Sequence, residues 1–530
     1  MKRSTRLVLL ALVLIVFFGG QWLWQHARTP TVAAAAPAHY RLGQLDFKLC
    51  TLRQPQSGLA TAAWCAPFSV PENWARPDGR KLALRLALIR AHAAQPAPDP
   101  VLYLAGGPGQ SAIDTWPEIA PALDDVLAHR NVILLDQRGT GGSAPLTCPE
   151  VTPKSAATPA ATATAAARHA AKSRHVQPAA SSTARMIAVE TETRVCLAAL
   201  QKRGLNPADF TTTQAVHDLA ALRHALGDPQ FDLVGVSYGT RVAQQFVMRH
   251  PHAVRSVVLD SVVPDQLILG QDFGVNLDAA LRDDFDLCTN SPACHKAFGD
   301  PWATLLELKK RLEKNTPEVN FRTPDGFQPK QEAMTADALV GLVRLYAYSP
   351  LTAALLPLSL HAASAGHFGP LLAQSHFISS SLQHSLNDGM QLSVVCSEDV
   401  PWLKVTPREA DTLLGDAYFR QLQAQCALWP HGAVPANFHA PLRSNVPVLI
   451  LEGQFDPVTP PRYGTEVLKG LGDARMLIAP GQGHNVIGAG CMPRLVKQFI
   501  AKPDPRTLDA KCLDQLKPTA PFLNYNGAAP

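Results

Sequence analysis

Seven short runs of β-branched and leucine-rich residues, separated by stretches of helical pattern, constrain the fold of this chain more than any other feature. They cover residues 82–89, 101–104, 131–135, 231–236, 256–259, 446–451 and 475–479. Strands that alternate with helices predict a parallel sheet closed by crossover helices. Several of the runs are continuously apolar, as strands covered on both faces must be. The helix expected before the fourth run is well marked. Thr211 and Gln214 are spaced as a capping box, Val216, Leu219, Leu222 and Leu226 form one apolar stripe, and Gly227 ends it.

Two segments interrupt the alternation. Residues 155–184 contain 13 Ala among 30 positions, mixed with Ser, Thr and Pro and with no acidic residue. That composition reads as a surface insertion, with an Ala-rich helix as the alternative. Residues 265–442 are dominated by helix-like patterns and read as a cap domain inserted into the sheet domain. The expected organisation is therefore a terminal segment 1–36, a first core part 37–264, the cap 265–442 and a second core part 443–530. A chain of 530 residues, 46% hydrophobic and 17% charged, has ample apolar surface for such a core.

Lys2, Arg3 and Arg6 precede an apolar run from Leu7 to Phe18 that continues to Trp24 with little interruption. This is an export segment, serving either as a cleaved signal peptide or as an uncleaved membrane anchor through residues 7–24. Together with Arg28 these residues account for most of the formal charge of +5, so a basic nucleic-acid footprint is excluded. The ten cysteines suit an oxidising compartment, periplasmic or extracellular, and fall as sequential neighbours. The simplest pairing joins Cys50 with Cys65, Cys148 with Cys196, Cys288 with Cys294, Cys396 with Cys426 and Cys491 with Cys512. No Cys-x-x-Cys spacing favours zinc instead.

The chemistry is concentrated at strand ends. Gly235-Val236-Ser237-Tyr238-Gly239 is a G-x-S-x-G string between an apolar strand and a helical pattern, the setting in which a serine is presented on a sharp turn. A serine hydroxyl needs a general base in reach and an acid that orients that base. Asp456 and His484 follow in that order, each on a Gly-containing loop just past an apolar strand. Acyl transfer also requires N–H donors aimed at a developing oxyanion. Gly107, in the Gly106-Gly107-Pro108-Gly109 loop after the strand at 101–104, and Tyr238, the residue after the serine, are the expected donors. A phosphate-binding loop is disfavoured because no Gly-Lys-Ser/Thr follows.

Ala105-Gly106-Gly107-Pro108-Gly109, Asp136-Gln137-Arg138-Gly139, Gly235-Val236-Ser237-Tyr238-Gly239-Thr240 and the Asp456 and His484 loops together resemble the α/β-hydrolases of the proline iminopeptidase and tripeptidyl aminopeptidase group. The resemblance spans roughly residues 82–491. It implies an α/β-hydrolase fold with an inserted helical cap, and an exported serine exopeptidase acting near free peptide N-termini, in the manner of the secreted tripeptidyl aminopeptidase-like branch. Ser237, His484 and Asp456 would form the triad, with no metal and no organic cofactor. The family's first loop often begins with His, and Ala105 stands there in this chain. An aminopeptidase must also hold a free ammonium group, for which Glu398 and Asp399 are the expected carboxylates. A carboxylesterase or amidase with the same triad is the alternative, as is a non-catalytic binding protein on the same fold. Neither the residues nor the resemblance fixes the oligomeric state.

Overall fold

The structure, a computed structural model, describes residues 39–54, 58–149, 182–324 and 326–528. The N-terminal segment expected to direct export and nearly all of the Ala-rich stretch lie outside the described residues. Residues 41–530 form one compact unit.

Its framework is a ten-stranded sheet. In chain order the strands are β1 (His39–Leu42), β2 (Leu45–Arg53), β3 (Ala60–Pro71), β4 (Lys81–Ile89), β5 (Val101–Leu104), β6 (Val132–Leu135), β7 (Phe231–Val236) and β8 (Val254–Asp260). A hairpin outside this sheet supplies β9 (Glu318–Arg322) and β10 (Pro329–Ala333), and the sheet ends with β11 (Val448–Gly453) and β12 (Ala474–Ala479). The spatial order is β1-β2-β3-β4-β6-β5-β7-β8-β11-β12. Strands β6, β5, β7, β8, β11 and β12 pair in parallel, whereas β2, β3 and β4 form an antiparallel edge joined to β6.

All seven apolar runs are strands of this sheet, with ends shifted by a residue or two. The leading meander was not foreseen. Strand β3 mixes buried and exposed residues and carries Ala, Pro, Ser and Thr among its apolar positions, so it lacks the apolar run that marks the parallel strands.

One face of the sheet packs against helices Ala112–Leu123 and Met492–Ala501 through Trp116, Leu495, Val496 and Phe499. Helices Thr212–Ala225 and Tyr238–Arg249 are also packed inward, and the predicted stripe Val216, Leu219, Leu222 and Leu226 is buried. Thr211 caps its helix by accepting from the Gln214 N–H. The reciprocal half of the box does not form, because Gln214 Oε1 accepts from the Trp74 N–H instead. All five expected disulfides are present.

Between β8 and β11 the chain is mainly helical, including Phe273–Thr289, Ala336–Tyr346 and Asp388–Glu398. This insertion has its own apolar cluster around Leu281, Phe285, Leu305, Leu339, Val343 and Leu360. No helix among the described residues is long and apolar enough to cross a membrane.

The Asp136-Gln137-Arg138-Gly139 loop after β6 is locked from both sides. Asp136 accepts from Ser111 Oγ and from the N–H groups of Ile113 and Gly142. Arg138, fully buried, makes a bidentate pair with Asp218 at 2.6 and 2.7 Å and donates to the carbonyls of Pro71, Glu72 and Asp209. Its five N–H donors are thereby used. Removing the guanidinium strands the Asp218 carboxylate in the interior. Arg138→Met is expected to cost about 3–5 kcal/mol of unfolding free energy, read as a lower urea midpoint.

Candidate active site

The nucleophile turn follows from local sterics. Ser237 lies between the end of β7 and helix Tyr238–Arg249 with φ +54° and ψ −122°, a conformation costly for a residue with a Cβ. The flanking glycines make the turn possible. A Cβ at Gly239 would lie 2.1 Å from the Leu104 carbonyl oxygen, and one at Gly235 would lie 2.6 Å from the Gly239 oxygen. The Ser237 N–H is held by the Asp260 carbonyl at 2.9 Å.

His484 Nε2 lies 3.0 Å from Ser237 Oγ, and His484 Nδ1 lies 2.7 Å from Asp456 Oδ2. Since the carboxylate only accepts, Nδ1 carries the proton and Nε2 is free to accept from the serine hydroxyl. Asp456 Oδ1 accepts from the N–H groups of Val458 and Thr459, each at 2.8 Å, and Thr459 Oγ1 donates to Oδ2 at 3.0 Å. The His484 loop is fixed by its own N–H donating to the Tyr348 carbonyl at 2.9 Å, and the Tyr348 ring meets the imidazole edge-on. A Cβ at Gly483 would strike that same carbonyl at 2.4 Å.

Electrostatics favour a charged imidazole once it takes a proton. Burial alone would depress the His484 pKa, but the Asp456 charge and hydrogen bond, together with the Asp260 charge, outweigh it and raise the pKa above 6.5. Burial likewise opposes ionisation of Asp456, yet His484 and the Thr459 and Val458 donors hold its carboxyl below the usual range. Asp260 was missed by the sequence reading. It ends β8, accepts from the N–H groups of Val486 and Ile487, and burial pushes its carboxyl up to about 6. An aspartate closing an otherwise apolar strand was the available signal. Thr459 and Tyr348 were also missed, and neither carries a distinguishing pattern.

The two expected oxyanion donors, Gly107 and Tyr238, lie on the loop after β5 and at the start of the helix that follows the serine. Tyr238 is the first residue of its helix, where the N–H has no partner within the helix. Gly106, directly before Gly107, comes so close that a Cβ there would lie 3.1 Å from the Ser237 Cβ, and Gly107 itself has φ +110°.

Glu398 and Asp399, the carboxylates expected to hold an ammonium group, both have partners within the fold. Both are fully buried. Glu398 Oε1 and Oε2 accept from the N–H and hydroxyl of Thr212 at 2.6 and 2.7 Å. Burial raises its carboxyl to about 8 against the pull of those bonds. Asp399 is paired with Arg241 at 3.0 and 3.2 Å and accepts from the Leu269 N–H. Adjacency in sequence to a helix end did not reveal that Arg241 and Thr212 would reach them.

A strained serine elbow at the carboxyl end of a parallel strand, hydrogen-bonded to a histidine that an aspartate holds in turn, defines a serine hydrolase. The chain belongs to the alpha/beta hydrolase fold family, whose model matches residues 99–489. Among relatives it is similar to serine protease Hip1 of Mycobacterium tuberculosis, 25% identical over 513 residues covering 90% of this chain and 93% of that one. It is also similar to carboxylesterase B of the same organism, 28% identical over 503 residues and 89% of each chain. A shorter match is to tripeptidyl aminopeptidase of Streptomyces lividans, 27% identical over 251 residues, 45% of this chain and 41% of that one.

Proposed function

We propose that the protein is an exported serine exopeptidase that hydrolyses peptide bonds near free N-termini. The observation that carries this reading is the continuous hydrogen-bonded chain from Ser237 through His484 to Asp456 on an elbow that presents the serine. The names of the relatives, a serine protease and a tripeptidyl aminopeptidase, support a peptide as substrate. Five disulfides support export to an oxidising compartment.

In this mechanism Ser237 Oγ attacks the scissile carbonyl carbon while its proton passes to His484 Nε2. Asp456 keeps the imidazole oriented and stabilises the imidazolium. The N–H groups of Gly107 and Tyr238 hold the tetrahedral oxyanion. Collapse returns the proton to the leaving amine and leaves the acyl group on Ser237. Water, deprotonated by His484, then releases the acyl product and restores the serine. The steps call for no metal and no organic cofactor.

Residues 265–442 act as the cap in this reading. Two of the cap's contacts support an enclosed site, Tyr348 against the His484 loop and Asn387 against Gly109. Enclosure suits a chain end better than the middle of a folded protein. Because Asp399 and Glu398 are taken up elsewhere, neither is proposed as the amine anchor. A carboxylesterase is the second reading, favoured by the match to carboxylesterase B along 89% of both chains.

The test is release of a chromophore from Pro, Ala-Ala-Pro and other short peptide amides with free N-termini, beside N-acetylated copies and a simple acyl ester. The exopeptidase reading expects the free-amine peptides to be cut and the acetylated ones spared. Cleavage of the ester alone would replace it with the esterase reading.

A further inference from the structure

The two oxyanion donors come from separate places, a loop after β5 and the start of a helix after β7. Donors of this kind act only when held in position before the reaction, and a displacement of about 1 Å at a reacting centre can cost about 100-fold in rate. One helix of the insertion, Asp388–Glu398, reaches both places.

At its N-terminal end Asn387, 8% exposed, donates both its backbone N–H and its Nδ2 to the Gly109 carbonyl, each at 3.0 Å. Leu386 and Gln110 form an antiparallel bridge beside this contact. The fit is tight, since a Cβ at Gly109 would lie 2.9 Å from the Asn387 carbonyl oxygen. The loop bearing Gly107 is thus clasped by the residue that precedes the helix.

At the other end Glu398 binds Thr212 through both carboxylate oxygens. The Thr212 hydroxyl also lies 2.6 Å from the Tyr238 hydroxyl, so Glu398, Thr212 and Tyr238 form one hydrogen-bonded chain. Tyr238 is 2% exposed, so this chain fixes the residue whose backbone N–H is the second donor. The neighbouring Asp399 grips Arg241, three residues further along the same helix, and pins its first turn.

We propose that Asn387 and Glu398 are positioning residues for the oxyanion hole, set at the two ends of one rigid helix that ties the Gly107 loop to Tyr238. The proposal rests on the hydrolase reading above but not on its peptide specificity. Glu398 therefore serves every substrate of the site rather than only those with a free amino group.

The experiment compares wild type with Asn387→Ala, Glu398→Gln and Tyr238→Phe on p-nitrophenyl butyrate and on a free-amine peptide amide. It also records the inhibition constant of butylboronic acid, which forms a tetrahedral adduct on the serine. Each variant is expected to lose about 10- to 100-fold in kcat with KM within about twofold, equally on both substrates. Boronate affinity should fall in parallel. Tyr238→Phe keeps the ring and the backbone N–H, and it carries the test if Glu398→Gln does not fold. Combined, Tyr238→Phe and Glu398→Gln should lose no more than one alone, because they interrupt the same chain.

A loss by Glu398→Gln confined to the free-amine peptide would overturn the proposal in favour of an amine anchor. Wild-type kcat in all three variants would overturn it as well, as would losses seen only in KM. Should the wild type cut the ester but no peptide, the exopeptidase reading falls while this test proceeds on the ester. A wild type inactive on both would overturn the hydrolase reading and the proposal together.

Discussion

Ser237→Ala is expected to lower kcat by about 10⁶-fold on any substrate the wild type turns over, with stability almost unchanged. The mutation deletes one oxygen and leaves the elbow backbone, with its close glycines, in place. What remains is the binding surface and the oxyanion donors, which by themselves still accelerate hydrolysis about 10³- to 10⁴-fold over water. His484→Ala should lose about as much, and the double variant little more, because the two act as a unit. Pre-steady-state assays with an activated ester in excess check this, since a burst of product equal to the enzyme concentration should appear only in the wild type.

Asp456→Asn is expected to lower kcat by about 10⁴-fold and to move the acid limb of the pH profile. The side-chain shape is kept, but an amide NH₂ facing His484 Nδ1 favours the tautomer with its proton on Nε2. That proton then confronts Ser237 Oγ, and the serine loses its base. The pH dependence has a definite sign. His484 must be neutral to accept the serine proton, so activity is lost as pH falls through its pKa. In the wild type that pKa lies above 6.5, because the charges of Asp456 and Asp260 outweigh the opposing effect of burial. Removing the Asp456 charge leaves burial less opposed, and the residual activity should persist to lower pH. Profiles of kcat/KM from pH 5 to 9 for both proteins check it. A flat wild-type profile, or an acid limb that stays put in the variant, would remove His484 from the role of base.

The parts of this site that were legible in the sequence share one property, a local signal strong enough to stand alone. Strands β5, β6, β7, β8 and β11 are buried almost throughout and are therefore written mostly in apolar residues, interrupted in β7 by Asp232, in β8 by Arg255, Ser256 and Asp260 and in β11 by Glu452. Ser237 directly follows β7, and Asp456 and His484 lie on Gly-containing loops a few residues past β11 and β12, so fold and chemistry were marked together. The even number of cysteines, falling as sequential neighbours, made the disulfide pairs readable as well.

What was not legible depends on partners distant in the chain. Strand β3 pairs with β2 and β4 through alternate residues, and its Ala-rich sequence looks no more like a strand than like a loop. Gln214 was placed in a capping box by spacing, yet Trp74, 140 residues away, takes its side-chain oxygen. Glu398 and Asp399 read as carboxylates for a substrate ammonium group, and only the fold brings Thr212 and Arg241 to them across 186 and 158 residues. Asn387 gives no sequence signal at all, because its role depends on a carbonyl 278 residues earlier.

The central claim is that Ser237 is the nucleophile activated by His484. It is tested most directly by treating the protein with a fluorophosphonate, which loses fluoride as it phosphonylates an activated serine, and mapping the adduct by mass spectrometry. The account predicts one adduct per chain, on the peptide containing Ser237, absent in Ser237→Ala and formed far more slowly in His484→Ala. An adduct on another residue would contradict it, as would hydrolytic activity that survives with Ser237 unmodified.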